Sequence, residues 1–276
     1  MAPAVEGTFR VADGTELFYR HWQPAVSRGK LVIIHGFNDH SGRFAHVAQY
    51  WVDQGLTVWA LDLRGHGRSG GPRAFVARWS DYVDDLHAFI TGPVGGGVPL
   101  LLGHSMGGLI TFRYGLAYPD SIKALVITSP LFQNRAQPTP IDAVMAPIAS
   151  RLLPKLLRPA PLDASKLSRD PAVGTAYAAD PLVGKQGTPR WYTEMLKAAG
   201  ASLTEAPSFR LPILVLAAGA DALVDPDATE RVYQAIGSSR KRYKRYPEFY
   251  HELLNEPEKT SILAEIQAWL DEEGLL

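Results

Sequence analysis

The sequence has no cysteine among its 276 residues, which excludes disulfides, thiolate zinc sites and cysteine nucleophiles together. Nor is there an excess of charge of either sign, because 28 basic residues balance 28 acidic ones. No global field therefore draws the chain toward nucleic acid or toward an acidic substrate. Its apolar runs are far shorter than the ~20 residues that span a bilayer as a helix. The opening MAPAVEGTFRVADG has neither the basic nor the apolar region of a secretory leader, so a soluble cytoplasmic protein is the expectation.

What remains is a chain that is 46% hydrophobic, long enough for a core that buries about three quarters of its surface. Two alternating runs flank Asp13-Gly14, the turn chemistry of an antiparallel hairpin. Five nearly continuous apolar runs follow: KLVIIHG, TVWALDL, VPLLLGH, KALVITSP and PILVLAAG. Strands of this kind are buried on both faces, as in a parallel sheet. Helical patterns alternate with them, and a strand RKRYKRYP and a closing helix EPEKTSILAEIQAWLDEEG end the series. The expectation is an α/β fold with a mostly parallel eight-stranded sheet opened by an antiparallel hairpin.

One segment interrupts the alternation. Residues 130–207 contain frequent prolines, helical patches such as IDAVMAPIASRLLPKLL and PRWYTEMLKAAG, and no convincing strand. That is too long for a connecting loop. The expected organisation is a core of residues 1–129 and 208–276 with a helical cap (lid) inserted at 130–207.

Gly-x-Ser-x-Gly occurs twice, at Gly67-Ser69-Gly71 and at Gly103-Ser105-Gly107. With 25 glycines in the chain, chance alone supplies roughly 0.12 such matches, so setting must decide between them. A nucleophilic serine on such a sheet sits on a sharp turn between a strand and a helix, where its hydroxyl stands at the positive helix end. Ser105 has VPLLLGH before it and MGGLITFRYGLAY after it; Ser69 lies past its strand and is followed by Pro72 with no helical pattern. Ser105 is the candidate nucleophile. Ser69 and His66 read as parts of a tight glycine-rich loop.

A serine hydroxyl needs a base, and on this kind of sheet the order along the chain is serine, acid, histidine. Of eight histidines only His251 follows Ser105. The acid should follow the strand before it, where GADALVDPD offers Asp221, Asp225 and Asp227. Asp225-Pro226 reads as a helix cap, which leaves Asp221. The oxyanion donors expected here are the backbone N–H groups of Met106, after the nucleophile, and of Phe37, in the loop after the third strand. His35 reads as a brace for that loop.

HGFNDHSGRF, LDLRGHGRSGG, GHSMGG, DPLV at 180–183, GADALVDPD and YHELLNE, in this order and spacing, resemble the monoacylglycerol lipase and lysophospholipase branch of the α/β-hydrolases. The resemblance covers nearly the whole chain. It implies the same triad and oxyanion donors, and hydrolysis of an ester of glycerol and one fatty acid without a cofactor. Where the family usually has Glu, Tyr and a smaller residue, this chain has Asp39, Phe44 and Phe37, the last of which bears on pocket width.

In the cap, Ile141, Val144, Met145, Ile148, Leu152, Leu153, Leu156 and Leu157 fall largely on one helical stripe, with Arg151, Lys155 and Arg158 elsewhere. This stripe either packs on the core or meets lipid; Ile141, Val144, Met145 and Ile148 are expected to bind substrate, and the cap to touch a membrane or lipid aggregate peripherally. Pro147 and Pro154 should interrupt a long helix. SSRKRYKRYP reads as a charged strand guarding the sheet edge rather than a nucleic-acid surface. Four other functions share these residues. A short-chain carboxylesterase or perhydrolase would keep the triad, an aminopeptidase would add a cap carboxylate such as Asp163, Asp170 or Glu194, and a ligand receptor would bind without turnover.

Overall fold

The structure, a computed structural model, describes residues 3–136 and 139–276. Its centre is an eight-stranded sheet of β1 (Val5–Arg10), β2 (Glu16–Trp22), β3 (Gly29–Ile34), β4 (Leu56–Leu61), β5 (Leu100–His104), β6 (Ala124–Thr128), β9 (Ile213–Ala218) and β10 (Lys241–Tyr246). The spatial order is β1-β2-β4-β3-β5-β6-β9-β10. Only β2 runs against its neighbours; every other pairing in the sheet is parallel. The fold expected from the five apolar runs is therefore present. The hairpin turns at Gly14, whose φ of 83° suits a residue without Cβ, and Asp13 closes the turn by accepting the Thr15 N–H at 2.9 Å.

Period-two alternation divides the inner strands between two cores. Leu31, Ile33, Leu100, Leu102, Val126 and Leu214 face α1 (Ala45–Asp53) and α8 (Lys259–Glu272). Val32, Ile34, Leu101, Leu125, Ile127 and Val215 face the other way, toward α2 (Ser80–Phe89), α3 (Met106–Ala117) and α7 (Pro226–Ala235). The edge strand β10 carries its charges in pairs: Arg242 with Glu272, Lys244 with Glu265 and Arg245 with Asp227. Its basic character is spent within the chain, in keeping with a guarded edge.

Between β6 and β9 lie α4 (Pro140–Leu152), α5 (Pro171–Ala179), α6 (Pro189–Glu205) and a small antiparallel pair, β7 (Arg158–Pro159) and β8 (Gln186–Gly187). Trp191, Met195, Ala198 and Ala199 of α6 join the core on the α3 face, so one side of this segment is continuous with the main body. Helix α4 passes through Pro147 and stops before Pro154. Pro147 stands exposed, so the carbonyl left without its N–H can reach water. The helix α5, capped by Asp170 accepting the Ala172 N–H at 2.9 Å, had no counterpart in the sequence reading because PAVGTAYAA lacks an apolar stripe.

Candidate active site

Strand β5 ends at His104 and α3 begins at Met106, which leaves one residue, Ser105, to reverse the chain. It does so at φ 53° and ψ −117°, a left-handed conformation that costs an L-residue of order 1–3 kcal/mol. Three hydrogen bonds hold it there. The Ser105 N–H donates to Thr128 O at 3.0 Å, and its carbonyl accepts from Leu131 N–H at 2.9 Å and Leu109 N–H at 3.2 Å. The turn also needs bare backbone: a Cβ on Gly107 would lie 2.1 Å from the Ile34 carbonyl oxygen, and one on Gly103 2.5 Å from that of Gly107. Glycine at these two positions lets the first turn of α3 press against β3 and places the serine hydroxyl above the sheet.

The other serine is committed elsewhere. The Ser69 hydroxyl accepts from the Phe18 N–H at 2.8 Å and donates to the Asp62 carbonyl, knitting the glycine-rich loop to β2.

Opposite Ser105, the loop after β10 brings in His251, which lines the same cavity. The His251 Nδ1–H donates to Asp221 Oδ2 at 2.7 Å, leaving Nε2 as the nitrogen able to take a proton. Asp221 stands in the loop after β9, and its second oxygen accepts the N–H groups of Leu223 at 2.8 Å and Val224 at 2.9 Å. Burial opposes charge on both groups, yet each keeps it more readily than usual: His251 is raised by the charge and hydrogen bond of Asp221, and Asp221 is lowered by His251 and by its two backbone donors. Asp225 instead caps α7 by accepting the Asp227 N–H at 3.0 Å, while Asp227 pairs with Arg245.

The remaining histidines nearby are held neutral. Burial lowers His66 to about 3 and both His35 and His104 to about 4. His35 Nε2 accepts the Leu63 N–H at 3.0 Å and so braces the loop after β3. His104 meets Thr128 Oγ1 at 3.1 Å.

The cavity between the sheet and the inserted segment has a volume of about 230 Å³. Gly36 and Phe37 line it from the loop after β3, and Met106 is buried at the start of α3, where the first N–H groups have no partner within the helix. Ala160, Leu162, Leu167 and Tyr177 roof it. Such an arrangement can carry out acyl transfer: a hydroxyl at a positive helix end, a carboxylate-bound imidazole and backbone donors share one partly enclosed, mainly apolar space.

Four residues expected to bind substrate lie elsewhere. Ile141, Val144, Met145 and Ile148 are absent from the cavity lining and face outward, Ile141 being 73% exposed. A stripe on α4 reads the same in sequence whether it faces inward or outward. The carboxylates considered for binding a substrate amine are also occupied outside the cavity. Asp163 and Asp170 cap helices, and Glu194 accepts from Lys197 at 2.7 Å.

A charged cluster that sequence reasoning passed over sits beside His251. Arg43 donates to both oxygens of Glu252 at 2.7 Å each and approaches Asp39 at 3.2 Å. Its guanidinium also lies over the Tyr177 ring, 4.8 Å from the centroid. Burial works against the Glu252 charge, but Arg43 keeps its carboxyl below the usual range. Asp39 and Glu252 are the cavity's acidic groups among the described residues, and both are engaged by this one arginine. The segments HSGR and HELLNE marked these residues; their 209-residue separation hid the contact.

Next to this cluster, His40 Nδ1 accepts the Gly42 N–H at 3.1 Å, so Nε2–H donates to Asp180 Oδ2 at 2.9 Å. The Gly184 N–H donates to Asn38 O at 3.0 Å. HGFNDHSGRF and DPLV are thus two sides of one contact, which ties the inserted segment to the loop after β3.

Comparison with known proteins gives concordant matches. Residues 25–258 match the profile of the family described as serine aminopeptidase, S33. A monoacylglycerol lipase of Mycolicibacterium smegmatis is 36% identical over 272 residues, 96% of each chain. The human monoglyceride lipase is 33% identical over 269 residues, covering 95% of this chain and 88% of the relative. Among solved structures, the monoacylglycerol lipase of Paleococcus ferrophilus superposes with a TM-score of 0.86 at 27% identity, over 92% of this chain and 98% of that one. These matches bear out the resemblance drawn from the motifs.

Proposed function

The chain belongs to the monoacylglycerol lipase branch of the α/β-hydrolases, and from that premise we propose that it cleaves monoacylglycerol to glycerol and a free fatty acid through an acyl-enzyme on Ser105. The observation that carries this reading is the common cavity of Ser105 and the Asp221-bound His251. In the first half-reaction the Ser105 hydroxyl adds to the ester carbonyl as His251 Nε2 takes its proton, and the N–H groups of Phe37 and Met106 receive the oxyanion. Collapse breaks the bond to the glyceryl oxygen, which takes from His251 the proton that came from Ser105 and leaves as glycerol. Water then gives a proton to the same nitrogen and attacks the acyl group, releasing the fatty acid and restoring Ser105.

Residues 130–207 act in this reading as a cap over the cavity. Of the thirteen large apolar side chains exposed among the described residues, eight lie between Ile141 and Leu157. That concentration favours peripheral contact with a lipid surface, from which single-chain substrate enters.

The test is steady-state hydrolysis of monoacylglycerols, with glycerol and fatty acid both measured, in the wild type and Ser105→Ala. The expected outcome is equimolar products and a fall of several orders of magnitude in the variant. Tight binding without turnover would identify a receptor instead, and turnover undiminished in Ser105→Ala would remove the nucleophile.

A further inference from the structure

Phe37 and Trp191 stack face to face across one wall of the cavity, with ring centroids 3.8 Å apart and planes 22° from parallel. Both residues line the space that Ser105 and His251 share. The Phe37 ring has little freedom to leave. On another side His66 meets it edge-on at 5.7 Å, and His66 is itself buried, neutral and fixed by Nδ1–H donating to the Arg64 carbonyl at 3.0 Å. Toward the small β7–β8 pair, a Cβ on Gly187 would lie 3.6 Å from Phe37 Cζ, so that backbone is near contact distance.

Trp191 is equally fixed. It lies in the first turn of α6, whose cap Thr188 accepts the Trp191 N–H at 3.3 Å and donates its own hydroxyl to the Ala74 carbonyl at 2.7 Å. Three residues on, Glu194 accepts the Trp79 N–H at 3.3 Å. The tryptophan is therefore pinned to the loop before α2 and packs into the α3-face core. A stack between two anchored rings is a wall, since opening it would break contacts on both sides.

That wall bounds a small space. A cavity of about 230 Å³ falls below the roughly 300–1,000 Å³ of ordinary small-molecule sites. Scaled from an apolar cavity of about 150 Å³ that holds one benzene, it admits on the order of ten heavy atoms. Six of those would be the glycerol of a monoacylglycerol.

We propose that the Phe37–Trp191 stack ends the acyl-binding part of the cavity and makes short acyl chains the preferred substrates. The proposal rests on the ester-hydrolase reading of the site. It adds a specificity role for the Phe37 side chain, separate from the backbone N–H of the same residue.

The test is kcat/KM for 4-nitrophenyl esters and for 1-monoacylglycerols with butyryl, octanoyl, dodecanoyl and palmitoyl chains, in the wild type, Phe37→Ala, Phe37→Leu and Trp191→Ala. In the wild type kcat/KM should fall at least tenfold from butyryl to palmitoyl in both series. Opening the stack should raise the palmitoyl-to-butyryl ratio at least tenfold, whatever happens to absolute rates. A wild type that accepts palmitoyl as well as butyryl overturns the proposal without any variant, and so does an unchanged ratio in every variant that folds. If all monoacylglycerols are inert while nitrophenyl esters react, the glycerol-ester reading fails, and the nitrophenyl series still decides the role of the stack.

Discussion

Arg43 holds Glu252 through two parallel hydrogen bonds of 2.7 Å, and Glu252 is the chain neighbour of His251. The arginine comes from the loop after β3, which also carries Phe37, so one ion pair links the loop of His251, the proposed base, to the loop of Phe37, the proposed oxyanion donor. The Glu252 N–H adds a bond of 2.7 Å to the Leu167 carbonyl in the roof. Three parts of the site that are distant in sequence meet at a single residue, Glu252, two through its carboxylate and its chain neighbour and the third through its backbone N–H.

Removing Arg43 leaves the buried Glu252 and Asp39 carboxylates without their shared counter-charge, which costs roughly 3–5 kcal/mol. Arg43→Met should lower stability by about that amount, Glu252→Gln by less because Arg43 keeps Asp39 at 3.2 Å, and the double variant should lose less than the sum. Urea unfolding of the four proteins measures the coupling directly. Additive losses would show that the pair is not a unit. The kcat of each single variant should also fall, since His251 would lose its fixed neighbour.

The pH dependence of catalysis follows from the direction of the His251 shift. Only neutral imidazole can accept the Ser105 proton, and Asp221 raises His251 above the ordinary histidine value of 6.5. Hence kcat/KM should rise with pH through a limb centred above 6.5. Replacing Asp221 by Asn removes the charge that causes the shift, so the limb should move to lower pH and the rate fall by about 10⁴. Stability follows the same sign. A raised histidine stabilises the fold below its unfolded pKa and ceases to do so as pH rises through its folded value, so Asp221→Asn should destabilise more at pH about 6 than at about 9. A wild-type limb at or below the ordinary histidine value would sink this account.

Much of the fold was legible because its signals are local. Five apolar runs bounded by Gly or Pro mark buried strands wherever they occur, and the position of Ser105 between a strand and a helix separated it from Ser69 without any knowledge of packing. Chain order alone left His251 as the base candidate. The acid required one more local rule, since Asp225-Pro226 is a helix cap and its carboxylate is used up there. The Arg43–Glu252 pair was not legible, because no local pattern says which of many charged residues will meet across the fold. Nor was the facing of Ile141, Val144, Met145 and Ile148. Periodicity places side chains on one face of a helix and leaves open which way that face turns.

The outward stripe of α4 yields the last expectation. Ile148 and Leu152 stand one helical turn apart, and Leu152 is 74% exposed. Burying each in the headgroup boundary of a lipid surface would contribute about 1.5–3 kcal/mol. Changing both to glutamate forfeits that gain and adds repulsion from anionic headgroups, so partition onto phosphatidylserine-containing vesicles should weaken by roughly a hundredfold or more. Neither side chain lines the cavity, so hydrolysis of a dissolved butyrate ester should be retained. Co-sedimentation with vesicles and the ester assay, run on the same preparations, separate the two effects. Undiminished sedimentation in the double variant would mean that the stripe does not face lipid, whereas loss of butyrate hydrolysis would mean that α4 shapes the site from outside it.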